Sequence, residues 1–142
     1  METVMVRGLN YRYHPGGPLV LKDISFQVAG GEMVAVTGLS GCGKSTLCFC
    51  ISGAARHNRD GVMSGDVLLN GKDTRELRAA ELALEVGMVF QDPETQLFSP
   101  TVEDEIAFAP ENLCLPTAQI RERVDHALDL LGIAALREAN PY

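Results

Sequence analysis

Gly38-Leu39-Ser40-Gly41-Cys42-Gly43-Lys44-Ser45-Thr46 is the stretch that decides how this chain is read. It carries the pattern G-x-x-x-x-G-K-[ST], which at average residue usage arises by chance in about one chain in two hundred of this length. The pattern is that of a phosphate cradle. Glycines let backbone N–H groups point inward without a Cβ in the way. A helix opening near Gly43 adds the positive end of its dipole and its free N–H groups. Lys44 is placed to reach the outer phosphates of a nucleotide, and the Ser45 hydroxyl to ligate Mg²⁺. The flanks agree with this chemistry. Met33-Val34-Ala35-Val36-Thr37 predicts a strand buried on both faces, as in a parallel sheet. Lys44 to Ala55 predicts a helix, apolar nearly all round and so buried at a domain centre, which Gly53 weakens or ends.

Upstream, Val4 to Tyr13 is strand-like, and His14-Pro15-Gly16-Gly17-Pro18 is a turn cluster. Leu19 to Val28 predicts a half-buried strand with Ile24, Phe26 and Val28 on one face, and the short connection favours an antiparallel pair. Downstream, Asp66-Val67-Leu68-Leu69 predicts a strand and Asn70-Gly71 a hairpin turn. The turn explains Asn70-Gly71-Lys72-Asp73 better than a guanine-reading N-K-x-D motif, whose order differs. Arg75 to Glu85 predicts a helix, and Val86-Gly87-Met88-Val89-Phe90 a second buried strand ending at Gln91. Thr101-Val102-Glu103-Asp104 reads as a capping box, with Glu103, Asp104 and Glu105 at the positive end of a helix rather than in a metal site. Thr117 is read as the cap of a last helix, with Ile120, Val124, Leu128 and Leu131 on one face and Gly132 at its end.

Twelve Lys and Arg against nineteen Asp and Glu give a net charge of -7. That balance argues against a nucleic-acid footprint and against adhesion to anionic lipid. No apolar run approaches the ~18 residues of a membrane span, so no direct membrane insertion is expected, and a cytosolic chain is. The spacings of Cys42, Cys48, Cys50 and Cys114 fit neither a zinc ribbon nor a C-x-x-C motif. Reduced, mostly buried thiols are expected, with Cys48 and Cys50 on different sides of their helix.

From Tyr11 to Gln91 the chain resembles the ATP-binding subunit of ABC transporters. Leu21-Lys22-Asp23-Ile24-Ser25-Phe26, Gly31-Glu32 and Val86-Gly87-Met88-Val89-Phe90-Gln91 carry that likeness. Val89-Phe90-Gln91-Asp92-Pro93-Glu94-Thr95-Gln96-Leu97-Phe98, Thr101 to Phe108 and Pro110-Glu111-Asn112-Leu113 are similar to the ATPase subunits of energy-coupling factor importers, which take up vitamins and transition metals. Ala109 departs from the glycine expected there. The resemblance implies an α/β fold, a P-loop NTPase of the ABC ATPase type. It would place an antiparallel β subdomain, P-loop and Q-loop in 1–98 and the start of a helical subdomain in 99–142.

It also implies the site. Gly38, Leu39, Ser40, Gly41, Cys42, Gly43, Lys44, Ser45 and Thr46 would bind ATP. Tyr13, with Tyr11 as second choice, would stack on adenine, a contact worth ~1–3 kcal/mol that tolerates different bases. Lys44 and Gln91 would serve catalysis, and Ser45 and Gln91 would meet Mg²⁺. The implied partners are a second ATPase subunit and a transmembrane coupling subunit docked near Asp92 to Leu113, at the cytoplasmic face of a membrane.

Some family features are not in this sequence. It has no L-S-G-G-Q signature, no apolar strand ending in Asp-Glu and no switch histidine after it. The expectation is therefore an incomplete ATPase, inactive in hydrolysis by itself, with the Met33–Val36 segment left exposed at a strand edge. A nucleotide-binding module without turnover is the alternative; an ABC ATPase acting on nucleic acid is disfavoured by the acidic balance.

Overall fold

The computed structural model describes residues 2–92 and 96–142. They form two compact units, Met1–Met88 and Val89–Tyr142. The first unit holds a four-stranded sheet: β1 (Glu2–Arg12), β2 (Leu21–Ala29), β3 (Val62–Leu69) and β4 (Lys72–Asp73) in the order β2-β1-β3-β4. Every pairing is antiparallel, as expected for β1 and β2. The central strand, β1, pairs Val6 with Phe26 on one side and with Val67 on the other.

A side-chain period of two should send Val6 and Leu9 to opposite faces. Both are buried in one core, because the register shifts between them. Gly8 sits at that bulge with φ 55°, and its N–H donates to Ser25 Oγ at 2.8 Å. Across the sheet Gly65 (φ 91°) allows the close approach: a Cβ there would stand 2.4 Å from the Gly8 carbonyl oxygen. The bulge thus turns Leu9 and Tyr11 onto the face already used by Val6. Leu47, Cys50 and Ala55 close the same core from α1 (Lys44–Ile51) and the 3-10 turn Ala54–His57.

The Asn70-Gly71 turn is as expected, with φ 49° and 80°, the left-handed pair a two-residue hairpin needs. The helix expected from Arg75 begins later, as α2 (Ala79–Glu85). Arg75 is held in the preceding turn by ion pairs to Asp66 and Asp73.

Three expectations are corrected in this unit. Met33–Thr37 belongs to no strand, and Met33 is 97% exposed. A strand exists only through its ladder, and among the described residues no ladder includes this segment. The helix α1 is covered on one side only: Thr46, Leu47 and Cys50 are buried, while Ser45 and Cys48 are exposed. Only Cys50 of the four cysteines is buried, so the thiols are not mostly inside. Burial pushes the Cys50 thiol up to about 11, with the Arg56 guanidinium pulling the other way.

The second unit contains α3 (Val102–Asn112) and α4 (Thr117–Leu131). The stretch Val86–Phe90, which crosses from one unit to the other in sequence, is not a strand, and Val89 is 87% exposed. Thr101 caps α3 by accepting from the Asp104 N–H at 3.1 Å, and its hydroxyl donates to Asp104 Oδ2 at 2.6 Å. The N–H groups of Val102 and Glu103 donate to the carbonyls of Ala139 and Arg137, both at 3.0 Å. Ala107, Val124 and Leu128 form the core, with Ile106, Ile120 and Ile133 against it. Leu131 was expected on that face but is 67% exposed, because it lies in the last turn before Gly132 leaves the helix at φ 68°. Thr117 is the first helical residue rather than the cap, which is Pro116.

Candidate functional site

The loop from Gly38 to Thr46 is shaped by three glycines in backbone regions that other residues avoid: Gly38 (φ 153°), Gly41 (φ 78°) and Gly43 (φ 102°). A turn closes inside it, where the Cys42 N–H donates to the Leu39 carbonyl at 3.3 Å. Lys44 folds back over the turn. Its Nζ donates to the carbonyl oxygens of Gly38 and Leu39, both at 2.9 Å, and lies 3.8 Å from Cys42 Sγ. The loop is wound around its own ammonium.

Gly43 is the residue before α1, and the helix has neither a side-chain cap nor an acidic residue in its first turn. By contrast, α3 has both a threonine cap and three acidic residues there. The positive end of α1 therefore carries no anionic side chain of its own and can receive an anion. Ser40, Cys42 and Ser45 are exposed, and Lys44 is half-buried. The set fits a polyphosphate, with main-chain donors and one cation. The exposed Ser45 hydroxyl is a hard oxygen of the kind that Mg²⁺ accepts alongside water and phosphate.

Thr46 faces inward and is 5% exposed. Its Oγ1 lies 2.8 Å from Tyr13 Oη, so the tyrosine just past β1 is joined to the loop's helix. The Tyr13 and Tyr11 rings pack at right angles, with centroids 5.1 Å apart and planes at 87°. Tyr13 remains 45% exposed, whereas Tyr11 is 1% exposed and belongs to the core. Of these two tyrosines, Tyr13 is the exposed one.

Gln91 lies in the second unit, exposed in a bend. Its neighbour Phe90 donates its N–H to Gln96 Oε1 at 3.3 Å. Pro93, Glu94 and Thr95, which carry part of the Q-loop likeness, lie outside the described residues. Past them, Glu105 Oε2 accepts from the N–H groups of Phe98 (3.2 Å) and Ser99 (2.9 Å). Burial would raise this carboxyl, but the hydrogen bonds from Ser99 and Phe98 outweigh it and hold it below the usual carboxylate range. The acidic trio at α3 thus divides its work: Glu103 pairs with Arg137 at 3.2 Å, Asp104 meets the Thr101 cap and Glu105 holds the loop. Phe98 and Phe108, both exposed, meet edge to face at 4.5 Å.

Sequence reasoning missed Asn58. Its Nδ2 donates to Tyr11 Oη and to the Tyr13 carbonyl, each at 3.3 Å. No spacing rule links an asparagine in a polar loop to a strand end 45 residues earlier.

A glycine loop, its lysine and an uncapped helix define a P-loop, and the chain belongs to the ABC transporter family, whose model matches residues 21–141. Members of that family bind ATP, generally with Mg²⁺, and hydrolyse it. A candidate ABC transporter ATP-binding protein of Methanosarcina mazei is 45% identical over 135 residues, 95% of this chain and 23% of that protein. The energy-coupling factor transporter ATP-binding protein EcfA of Methanosarcina acetivorans is 40% identical over 97% of this chain and 48% of its own length. Among solved structures, cbiO1 from Clostridium perfringens, part of the ABC transporter complex cbiONQ, matches with a TM-score of 0.82 and 36% identity, over 98% of this chain and 54% of that one. The fold is that of the ABC ATPases, as the resemblance implied. The chain spans about half the length of EcfA and cbiO1, and less than a quarter of the M. mazei protein.

Proposed function

We propose that this chain is the ATP-binding portion of an energy-coupling factor importer ATPase, a subunit that couples ATP binding and hydrolysis to uptake of a vitamin or a transition-metal ion. The observation that carries the reading is the loop: three glycines in left-handed or glycine-only backbone, a lysine folded over them and a helix start without cap or acid. Likeness to EcfA and cbiO1 supports the importer class.

In this reading the main-chain amides of Gly38 to Thr46 bind the phosphates. Lys44 exchanges its carbonyl partners for the β- and γ-phosphate oxygens and neutralises charge there. Ser45 binds Mg²⁺, which supplies further charge neutralisation, and the exposed Tyr13 ring stacks on adenine. Gln91 keeps the role that the resemblance gives it, toward Mg²⁺ and the attacking water. A second ATPase subunit and a transmembrane coupling subunit are the partners, which places the protein peripherally at the cytoplasmic face of the membrane. The exposed Phe98–Phe108 pair supports docking of the coupling subunit near Asp92 to Leu113. Among the described residues no helix is long and apolar enough to cross a membrane.

The sequence between Met1 and Tyr142 holds no L-S-G-G-Q and no Asp-Glu strand, so this stretch by itself would bind ATP without turning it over. A regulatory nucleotide-binding module is the second reading that this favours. Calorimetric titration with Mg-ATP tests the first. Lys44→Ala removes a charge-assisted contact worth ~1.5–3 kcal/mol, so binding should weaken roughly ten- to a hundredfold. Unchanged affinity would remove the P-loop assignment. Phosphate release by the 142-residue chain would overturn its proposed inactivity.

A further inference from the structure

The Tyr13 ring is held from three sides. Its hydroxyl meets Thr46 Oγ1 at 2.8 Å, its ring packs at right angles to that of Tyr11, and its backbone carbonyl accepts from Asn58 Nδ2 at 3.3 Å. The Asn58 amide also donates to Tyr11 Oη, so one side chain ties both tyrosines to the turn after α1. That turn is itself fixed: the Asn58 N–H donates to the Ala55 carbonyl and Asn58 Oδ1 accepts from the Asp60 N–H, both at 3.3 Å. Next to it, a Cβ on Gly61 would stand 2.7 Å from Tyr11 Oη, so the turn lies directly against that hydroxyl. Tyr11, Tyr13, Thr46, Phe49, Ala55 and Asn58 line a cavity of about 200 Å³.

We propose that Asn58 is a positioning residue for nucleobase binding: by holding the Tyr13 carbonyl and the Tyr11 hydroxyl, it sets the Tyr13 ring at a fixed angle to the helix that carries Lys44. The proposal rests on the reading of Tyr13 as the base-stacking residue. A ligand gripped by its phosphates at the start of α1 presents its base at a distance set by its own covalent skeleton. A ring already held at that distance loses little conformational freedom when the base arrives. Asn58 reaches neither base nor phosphate in this scheme, and acts only through the two tyrosines.

The test measures the affinities of the 142-residue chain for Mg-ATP and for Mg-tripolyphosphate, which lacks a base, by calorimetry. Asn58→Ala should weaken ATP about three- to tenfold, the loss of two hydrogen bonds, and leave tripolyphosphate within about twofold. Asn58→Gln, which keeps the donor on a longer stem, should recover part of the loss. In a Tyr13→Ala background, Asn58→Ala should have no further effect on ATP. Equal loss for both ligands would show a merely structural role, and no loss for either would show none; both outcomes overturn the proposal. If Tyr13→Ala itself leaves the ATP-to-tripolyphosphate ratio unchanged, the stacking reading falls and this inference with it. If Tyr13→Ala lowers that ratio and Asn58→Ala does not, Asn58 alone is wrong. Should Asn58→Ala fail to fold, Asn58→Ser, too short to bridge both tyrosines, carries the same prediction.

Discussion

Replacing Gly43 by alanine separates the two demands on the phosphate loop, conformation and space. Gly43 has φ 102°, and a Cβ there would meet Leu21 Cδ2 at 3.1 Å, the Val20 carbonyl oxygen at 3.2 Å and Val20 Cγ1 at 3.3 Å. A left-handed alanine costs roughly 1–2 kcal/mol. Crowding of this kind adds about 1–3 kcal/mol, since a backbone carbonyl cannot swing aside. Restricting the unfolded chain returns about 0.4–1 kcal/mol. The expected loss is therefore about 3 kcal/mol. Gly41 is the control: φ is 78°, but nothing lies within 4 Å of its added Cβ. Only the conformational cost applies there, and the expected loss is about 1 kcal/mol after the same correction. The gap of about 2 kcal/mol should be read from urea denaturation followed by far-UV circular dichroism, as a lower midpoint at unchanged slope. If Gly41→Ala proved as damaging as Gly43→Ala, the packing of the loop against Val20 and Leu21 would be refuted.

The remaining predictions concern chemistry at particular side chains. At neutral pH a thiol reagent should label Cys42, Cys48 and Cys114, and reach Cys50 only on unfolding, since Cys50 is buried and its thiol is raised to about 11. Mg-ATP should protect Cys42 selectively; mass spectrometry of the labelled peptides with and without nucleotide reads this directly. Glu105 titrates below its ordinary value of 4.5. A depressed carboxyl contributes stability that is present above that ordinary value and is lost as pH falls through the lowered one. Amide exchange at Phe98 and Ser99 should therefore lose its protection on acidification, after correction for intrinsic rates, and Glu105→Gln should remove that pH dependence. Persistence of the dependence in the variant would assign it to another group.

What the sequence made legible was local. The Asn70-Gly71 turn, the Thr101 cap and the strained glycines of the loop each follow from residues a few positions apart. The Val86–Phe90 and Met33–Thr37 runs read as buried strands because their composition suits one. A strand, though, is a relation to a neighbour that composition does not supply. The bulge at Gly8 left a trace that can be recognised afterwards: buried positions switch parity between Val6 and Leu9. One-sided burial of α1 left none, since a helix apolar all round does not say which face will be covered. The cysteines on it were misjudged for the same reason. Of the site, the loop residues were legible as a motif, while the link from Tyr13 to Thr46 and Asn58 depends on the strand's end meeting the helix, which only the fold provides.

The carbonyls of Arg137 and Ala139 that receive the first N–H groups of α3 have a mechanical implication. A chain clipped just before Arg137 would lose these acceptors, and with them the guanidinium shared by Glu103 and Asp125. The helix α3 would then begin with three carboxylates, one of them (Glu103) stripped of its cation, and with two amides turned to water. Cleavage before Arg137 would thus be felt about thirty-five residues earlier in the sequence, where the loop after Gln91 enters its helix.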